Sequence, residues 1–424
     1  VVANKPDLPN AMAIDEDASD YSYFAQMRFG SNGTPMYMLI DTGSANTWVM
    51  GTECATVSCD AHNLFGPPNS TTLNLTKTPW TVTYGTGAVE GVTASDTVAF
   101  ANYSLEIGFG LATTASADFL SYPMDGILGL GRSASDIIDT PTIMDVLDKK
   151  NMLASNIIGI HLQRASDGMK DGQITFGGVD KTKFKGDISY TKALPNQGAW
   201  EIPVSDSAVH GISTNFTART AIIDTGTSFI LMPPSDANAF HHLIPGAVVD
   251  GGSWDVPCST TAEVQFTFSG VTYSVSPKDY VGKPNNGAIG ACASNIIGHQ
   301  PFGPTQWLLG DVFLKNVYTV FDYDKESIGF GTMNGVAAAS SSAAAASSSA
   351  TSSSRASSMV APGSSAKTSS SASTTSSSSS SSAASAAATT TDASPLGGAD
   401  SGASSYGMSL GLAMVAAFVV GLLV

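Results

Sequence analysis

Leu39-Ile40-Asp41-Thr42-Gly43-Ser44 and Ile222-Ile223-Asp224-Thr225-Gly226-Thr227 are two copies of one phrase: two aliphatic residues, Asp-Thr-Gly, then a hydroxyl residue. A carboxylate at the end of an apolar strand is costly to bury unless it is hydrogen-bonded or employed. The glycine behind it permits a tight turn. A single copy would read as an ordinary strand-joining turn, whereas two copies point to one site shared by two carboxylates.

The likeness continues downstream. Ile127-Leu128-Gly129 and Leu308-Leu309-Gly310 place their second aliphatic residue 87 positions after Asp41 and 85 after Asp224. Matching offsets predict two lobes of similar plan with the aspartates facing each other between them. Most local signals from Tyr21 to Met333 are strands, as in Trp80–Tyr84, Ala262–Phe268, Val271–Val275 and Val317–Phe321, rich in Val, Thr, Tyr and Phe and bounded by turn residues. Two helices are expected. One runs over 141–152, capped by Thr140 with Pro141 in its first turn, and the other over 234–243. The fold class is therefore mainly β and bilobal, with two pseudo-symmetric lobes and a cleft between them.

Residues 336–400 are almost entirely Ser, Ala and Thr, a composition that cannot bury enough apolar surface to offset ordering entropy. The expected organisation is a prosegment remnant or extension over 1–20, lobes over 21–185 and 186–335, a stalk over 336–400, and an attachment signal over 401–424. The apolar run Met408–Val424 has 17 residues and no charge, short for a stable span. Small residues Gly397, Gly398, Ala399, Asp400 and Ser401 precede it, which fits a glycosylphosphatidylinositol signal; a retained membrane tail is the alternative. The chain opens Val-Val-Ala-Asn, so an amino-terminal part is expected to have been removed.

With 35 acidic against 19 basic residues and no basic stripe, a nucleic-acid partner is not expected. Four cysteines allow three pairings, of which sequence proximity favours Cys54–Cys59 and Cys258–Cys292. No Cys-x-x-Cys pair suggests a metal, and no cofactor is expected. Sequons at Asn32, Asn69, Asn74, Asn102 and Asn215 suit an extracellular setting at the cell surface, plasma membrane or wall.

Two close carboxylates cannot both ionise readily, so they share a proton: one acts as base while the other donates. A water between them becomes a nucleophile as its proton is removed, and the protonated partner polarises the carbonyl under attack. Ser44 and Thr227 are each expected to offer a hydroxyl to the outer oxygen of the neighbouring carboxylate. Gly43 and Gly226 let backbone approach both carboxylates and ligand.

These features stand in order among Ile40–Val49, Tyr84-Gly85-Thr86-Gly87, Asp125–Gly131, Ala221–Ser228 and Trp307–Phe313. From Phe24 to Met333 the chain resembles the pepsin-like aspartic endopeptidases; with its stalk and tail it is similar to fungal surface-anchored members. The resemblance implies a pepsin-like bilobal fold, a catalytic dyad of Asp41 and Asp224, and a monomer acting on extended polypeptides at acidic pH. It implies a flap carrying Tyr84, Gly85 and Thr86, with Trp48 bonded to the tyrosine, and a pocket lined by Phe119 and Ile127. Thr86 stands where some fungal members carry an aspartate that accepts lysine, so hydrophobic or aromatic preference is expected. An inactive protease-like adhesion or wall glycoprotein is the alternative, and a glycosidase using the two carboxylates fits less well. Asp125 and Asp311 are expected to be structural hydrogen-bonders, and the pair His241-His242 a partly exposed helix surface.

Overall fold

The computed structural model describes residues 1–333 apart from Thr86, Asn196, Gln197, Gly251 and Asn286. The stalk, the candidate attachment residues Gly397 to Ser401 and the apolar run 408–424 lie outside the described residues, as does Thr86.

The first lobe is built on an eight-stranded sheet. Its order is Asp15–Glu16, Tyr23–Phe29, Thr34–Asp41, Gly126–Gly129, Trp48–Met50, Tyr103–Ala115, Gly87–Phe100 and Asn74–Tyr84. The second lobe holds a five-stranded sheet in the order Glu201–Val204, Arg219–Ile223, Gln306–Leu309, Ile230–Met232 and Ile296–Gly298, with two smaller four-stranded sheets beside it. Strand Val264–Phe268 shows how the pattern works: Val264, Phe266 and Phe268 are buried and the residues between are half-buried, the period of two that turns alternate side chains to one face.

The sequence repeat is a repeat of topology. Thr34–Asp41 runs parallel to Gly126–Gly129 with Ile40 opposite Leu128, and Arg219–Ile223 runs parallel to Gln306–Leu309 with Ile223 opposite Leu309. In both lobes the residue before the aspartate therefore faces the second aliphatic residue of the downstream motif. A third strand, Trp48–Met50 or Ile230–Met232, then pairs antiparallel to that same downstream strand. The closing glycines follow from this threading. A Cβ on Gly129 would lie 2.4 Å from the Ala45 carbonyl carbon, and one on Gly310 would lie 2.0 Å from the Thr227 carbonyl oxygen.

A six-stranded sheet joins the lobes in the order Ala11–Ala13, Gln173–Phe176, Ile157–His161, Val317–Asp322, Ser327–Met333 and Phe184–Lys192. Three strands end by Phe176 and three begin from Phe184 onward, and the two sets meet at the antiparallel pair Ile157–His161 and Val317–Asp322. Two expected boundaries meet this sheet. Residues 1–20 do not stand apart: Ala11–Ala13 is the outer strand on one side, in the place that Phe184–Lys192 holds on the other, and Asp15–Glu16 pairs with Tyr23–Phe24. The boundary drawn between 185 and 186 falls inside Phe184–Lys192. Composition could not reveal this, because backbone ladders rather than side chains recruit the edge strands.

The first expected helix begins later than the proline suggested. It spans Ile143–Lys149 with Thr142 as its cap: Asp145 N donates to Thr142 Oγ1 at 3.2 Å, and Thr142 N donates back to Asp145 Oδ2 at 3.2 Å. That reciprocal capping box satisfies two otherwise orphaned donors, which Thr140 could not do from two residues upstream. The second helix, Pro234–His242, lies where it was expected.

Candidate active site

Each Asp-Thr-Gly turn ends a buried strand, and the two turns lock together through their threonines. Thr42 N donates to Thr225 Oγ1 at 3.1 Å, and Thr225 Oγ1 donates to the Ile40 carbonyl at 2.6 Å. In the reverse direction Thr225 N donates to Thr42 Oγ1 at 3.0 Å, and Thr42 Oγ1 donates to the Ile223 carbonyl at 3.0 Å. All four bonds are buried and cross from one lobe to the other. Thr42 and Thr225 are the residues that sequence reasoning missed. The signal was available, since the same hydroxyl residue sits at the centre of both copies.

The lock brings the carboxylates together over the glycines. A Cβ on Gly43 would lie 2.5 Å from Asp224 Oδ1, and one on Gly226 would lie 2.5 Å from Asp41 Oδ1. Each glycine thus makes room for the carboxylate of the opposite lobe. Asp41 Oδ1 accepts from Gly43 N at 2.9 Å and Ser44 N at 3.1 Å. Asp224 Oδ1 accepts from Gly226 N at 2.8 Å, and its Oδ2 accepts from Thr227 Oγ1 at 2.7 Å.

The symmetry breaks at the hydroxyls. Thr227 bonds the outer oxygen as expected, but Ser44 turns its Oγ to Asn46, accepting from the backbone N at 3.2 Å, and to Tyr84. Ser44 therefore supports Asp41 through its backbone N–H, a correction to the expected hydroxyl contact. Asp41 Oδ2 is buried and has no hydrogen-bond partner among the described residues. Burial raises both carboxyl pKa values. Asp41 rises well above the ordinary range because the Asp224 charge adds to burial, whereas the Thr227 and Gly226 bonds pull Asp224 back.

Tyr84, Trp48, Phe119 and Ile127 come together in one apolar cluster, with Leu39, Val82, Val89, Met124 and Ile138. Trp48 Nε1 donates to Tyr84 Oη at 2.8 Å. Phe119 stands edge-on to Trp48 at 5.5 Å and to Tyr84 at 6.4 Å between ring centres. Ile127 pairs with Leu39 on one side and Trp48 on the other, one residue before the Leu128 that faces Ile40. Gly85 lies at the exposed tip of the hairpin formed by Asn74–Tyr84 and Gly87–Phe100. Burial and the nearby Asp41 raise the Tyr84 hydroxyl, so it stays protonated.

A sequence profile described as eukaryotic aspartyl protease matches residues 22–333, most of the chain. The chain belongs to this family. It is 49% identical over 328 residues to the probable aspartic-type endopeptidase CTSD of Arthroderma benhamiae, covering 77% of this chain and 64% of that protein. It is 49% identical over 332 residues to the aspartic-type endopeptidase ctsD of Aspergillus fumigatus, covering 78% and 69%. Cathepsin D of Dictyostelium discoideum is 31% identical over 327 residues, covering 74% and 84%. The chain thus spans just under two thirds of the length of the Arthroderma relative.

The remaining expected residues divide. Both disulfides are Cys54–Cys59 and Cys258–Cys292. Asp125 is a structural hydrogen-bonder: it accepts from Tyr37 N at 2.8 Å and from Asn63 N at 2.8 Å. Asp311 is buried with Oδ1 unpartnered among the described residues, and burial raises its pKa well above the ordinary range. His241 is fully buried, stacked on Trp254 at 4.8 Å, rather than on a partly exposed face as expected; only His242 is exposed. The reason is tertiary: Nδ1 meets the Ala237 carbonyl and Nε2 the Ser294 hydroxyl, each at 2.7 Å, which satisfies both ring nitrogens inside. Asn32, Asn74, Asn102 and Asn215 are exposed, and Asn69 is half-buried.

Proposed function

We propose that this chain is an endopeptidase that cleaves extended polypeptides at acidic pH by water activated between Asp41 and Asp224. The observation that carries the reading is the mutual approach of each glycine to the opposite carboxylate, 2.5 Å from a would-be Cβ on both sides. Two carboxylates held this close titrate as one unit, the shared-proton behaviour for which aspartic proteases are the standard instance. The proton resides on Asp41, which burial, the Asp224 charge and the bond between the two carboxyls raise, and Asp224, stabilised as an anion by Thr227 and Gly226, takes the proton of the attacking water. Protonated Asp41 then donates toward the carbonyl oxygen as the tetrahedral centre forms. No covalent intermediate is needed.

Tyr84 supplies the lid. Its hairpin tip closes over the bound peptide and excludes water, while Trp48 fixes the direction of the hydroxyl. Phe119 and Ile127 shape the apolar pocket beside it, which favours a hydrophobic or aromatic residue before the scissile bond. The enzyme acts as a monomer.

The test is cleavage of a denatured protein near pH 4 with and without pepstatin, repeated on Asp41→Asn and Asp224→Asn. Each variant is expected to lose at least about a thousand-fold in kcat/KM, or about 4 kcal/mol of transition-state stabilisation. Full activity in either variant, or indifference to pepstatin, would overturn the dyad assignment, and no cleavage by the unaltered chain would instead favour an inactive protease-like adhesion or wall glycoprotein. We also propose attachment to the cell surface through a lipid anchor, motivated by the small residues 397–401 and the apolar run 408–424. Release of the protein from intact cells by a phosphatidylinositol-specific phospholipase is the expected result, and retention in the membrane fraction counts against it.

A further inference from the structure

We infer that the first lobe carries a cap of asparagine-linked oligosaccharides on Asn32, Asn74 and Asn102, at the pole opposite its cleft, and that this cap shields the pole from proteolysis. Two strands define the axis. Thr34–Asp41 starts at the turn 30–33 that holds Asn32 and ends on Asp41, eight residues and about 23 Å away. Gly87–Phe100 starts beside Tyr84 at the hairpin tip and ends at the turn that holds Asn102, where Phe100 pairs with Tyr103. Cleft residues stand at one end of both strands and sequons at the other.

Those far ends are in contact. Gly30 N donates to the Thr97 carbonyl at 2.8 Å, and Arg28 pairs with Ala99. Segment 70–72 packs onto the same turn: Ser31 N donates to Ser70 Oγ at 3.0 Å, Thr71 N to Ser31 Oγ at 3.0 Å, and Thr72 Oγ1 to Asp96 Oδ1 at 2.6 Å. Asn74 stands two residues further on and pairs with Ser95, five residues before Phe100. All three asparagines are exposed. Asn69, half-buried with its Oδ1 sealed from solvent, is not part of the cap.

The pole needs cover for two physical reasons. Asn74–Tyr84 is the outermost strand of the eight-stranded sheet, and its first six residues are all exposed, which leaves a free edge for strand addition. The turns 30–33 and 101–102 are exposed tips of the kind that proteases nick. Both disulfides are consistent with passage through an oxidising compartment where the modification occurs. There the asparagine Nδ2 forms a bond to C1 of the terminal sugar of a lipid-pyrophosphate oligosaccharide. The C1–oxygen bond to pyrophosphate breaks, the lipid pyrophosphate departs, and one amide proton is lost.

The shielding rests on the endopeptidase reading only where the threat is self-digestion; occupancy does not depend on it. The test uses the full chain secreted from a eukaryotic host, carrying Asp224→Asn so that its own activity plays no part. Peptide mapping after enzymatic deglycosylation in heavy-oxygen water is expected to mark Asn32, Asn74 and Asn102. Added pepsin at pH 4 is expected to consume the triple Asn→Gln chain about ten-fold faster than the glycosylated one, with cuts in 30–34, 70–78 and 101–104. The glycosylated chain trimmed natively by a peptide N-glycosidase, which avoids any folding defect of the triple variant, is expected to match it, and Asn215→Gln to leave the rate unchanged. Unmodified asparagines at these positions, or equal digestion of trimmed and untrimmed protein, would overturn the inference. Neither result bears on the dyad, and loss of the dyad assignment would leave both measurements standing.

Discussion

Gly43 and Gly226 show how little room the site leaves. Neither turn needs a glycine for its own backbone angles; both need one because the carboxylate of the other lobe occupies the space of a Cβ. On the proposed dyad, Gly43→Ala would push Asp224 away from Asp41 and break the sharing of a proton between them. A misplacement of this kind costs about a hundred-fold in rate, so kcat is expected to fall by at least that factor while the protein stays folded. Kinetics with a short peptide, paired with a thermal melt, check it; unchanged kcat would mean that the carboxylates need not touch. The aspartates and glycines were legible in the sequence because chemistry and turn geometry both restrict residue type there. The Ser44 hydroxyl was not, because a side chain's choice between two nearby partners depends on where Asn46 and Tyr84 come to rest.

At the scale of elements, the repeat was readable and the edges were not. Paired apolar runs at matching offsets predicted parallel strands behind each aspartate, and the registers of Ile40 with Leu128 and Ile223 with Leu309 follow that pattern. The short strand Ala11–Ala13 carries no comparable signal, since a three-residue run is too brief for periodicity. The disulfides act at this scale too. Cys258–Cys292 closes a span of 34 residues that includes the Val264–Phe268 and Val271–Val275 strands, whereas Cys54–Cys59 closes only 5. Loop-closure entropy assigns the longer bridge about 4 kcal/mol and the shorter about 2 kcal/mol. Paired Cys→Ser substitution at 258 and 292 is therefore expected to lower the unfolding free energy more than substitution at 54 and 59. Denaturant titration of both variants measures the difference, and a reversed order would place the stabilisation in local packing instead.

Across the whole molecule, burial of carboxyl groups sets the response to pH. Asp41, Asp224 and Asp311 all have folded pKa values above the unfolded value. The native state thus keeps protons that the unfolded chain releases above about pH 4, and stability falls as pH rises through the folded pKa values. His241 works the other way. Its folded pKa is lowered to about 4 by burial, so the unfolded chain binds the extra proton and stability is lost as pH falls from about 6.5 toward 4. Asp15 and Asp136 are raised by burial as well, so above about pH 4 the raised carboxyls outnumber the one lowered imidazole and place the stability maximum on the acidic side. Asp167, Asp171, Asp180 and Asp236, held low by their hydrogen bonds and cationic neighbours, limit it below about pH 4. With only 19 Lys and Arg in the chain, positive self-repulsion there stays small. Thermal melts at pH 4.5 and 7.5 are expected to show a clear drop at the higher pH, and Asp311→Asn to narrow it by removing one buried charge. An equal drop in that variant would mean that Asp311 does not ionise across this range.

By itself the sequence determined the β-rich two-lobed plan, the two aspartates and the cysteine pairs, whereas the residues that gather around Tyr84 came only from the family resemblance. The former depend on residue type, spacing or short-range pattern, which a chain carries before it folds. Tertiary structure alone decided the crossed threonine bonds of Thr42 and Thr225, the inequality of Ser44 and Thr227, the burial of His241, and the gathering of Asn32, Asn74 and Asn102 at one pole. These depend on distances between residues far apart in the chain, and such distances exist only once two lobes and their joining sheet have packed.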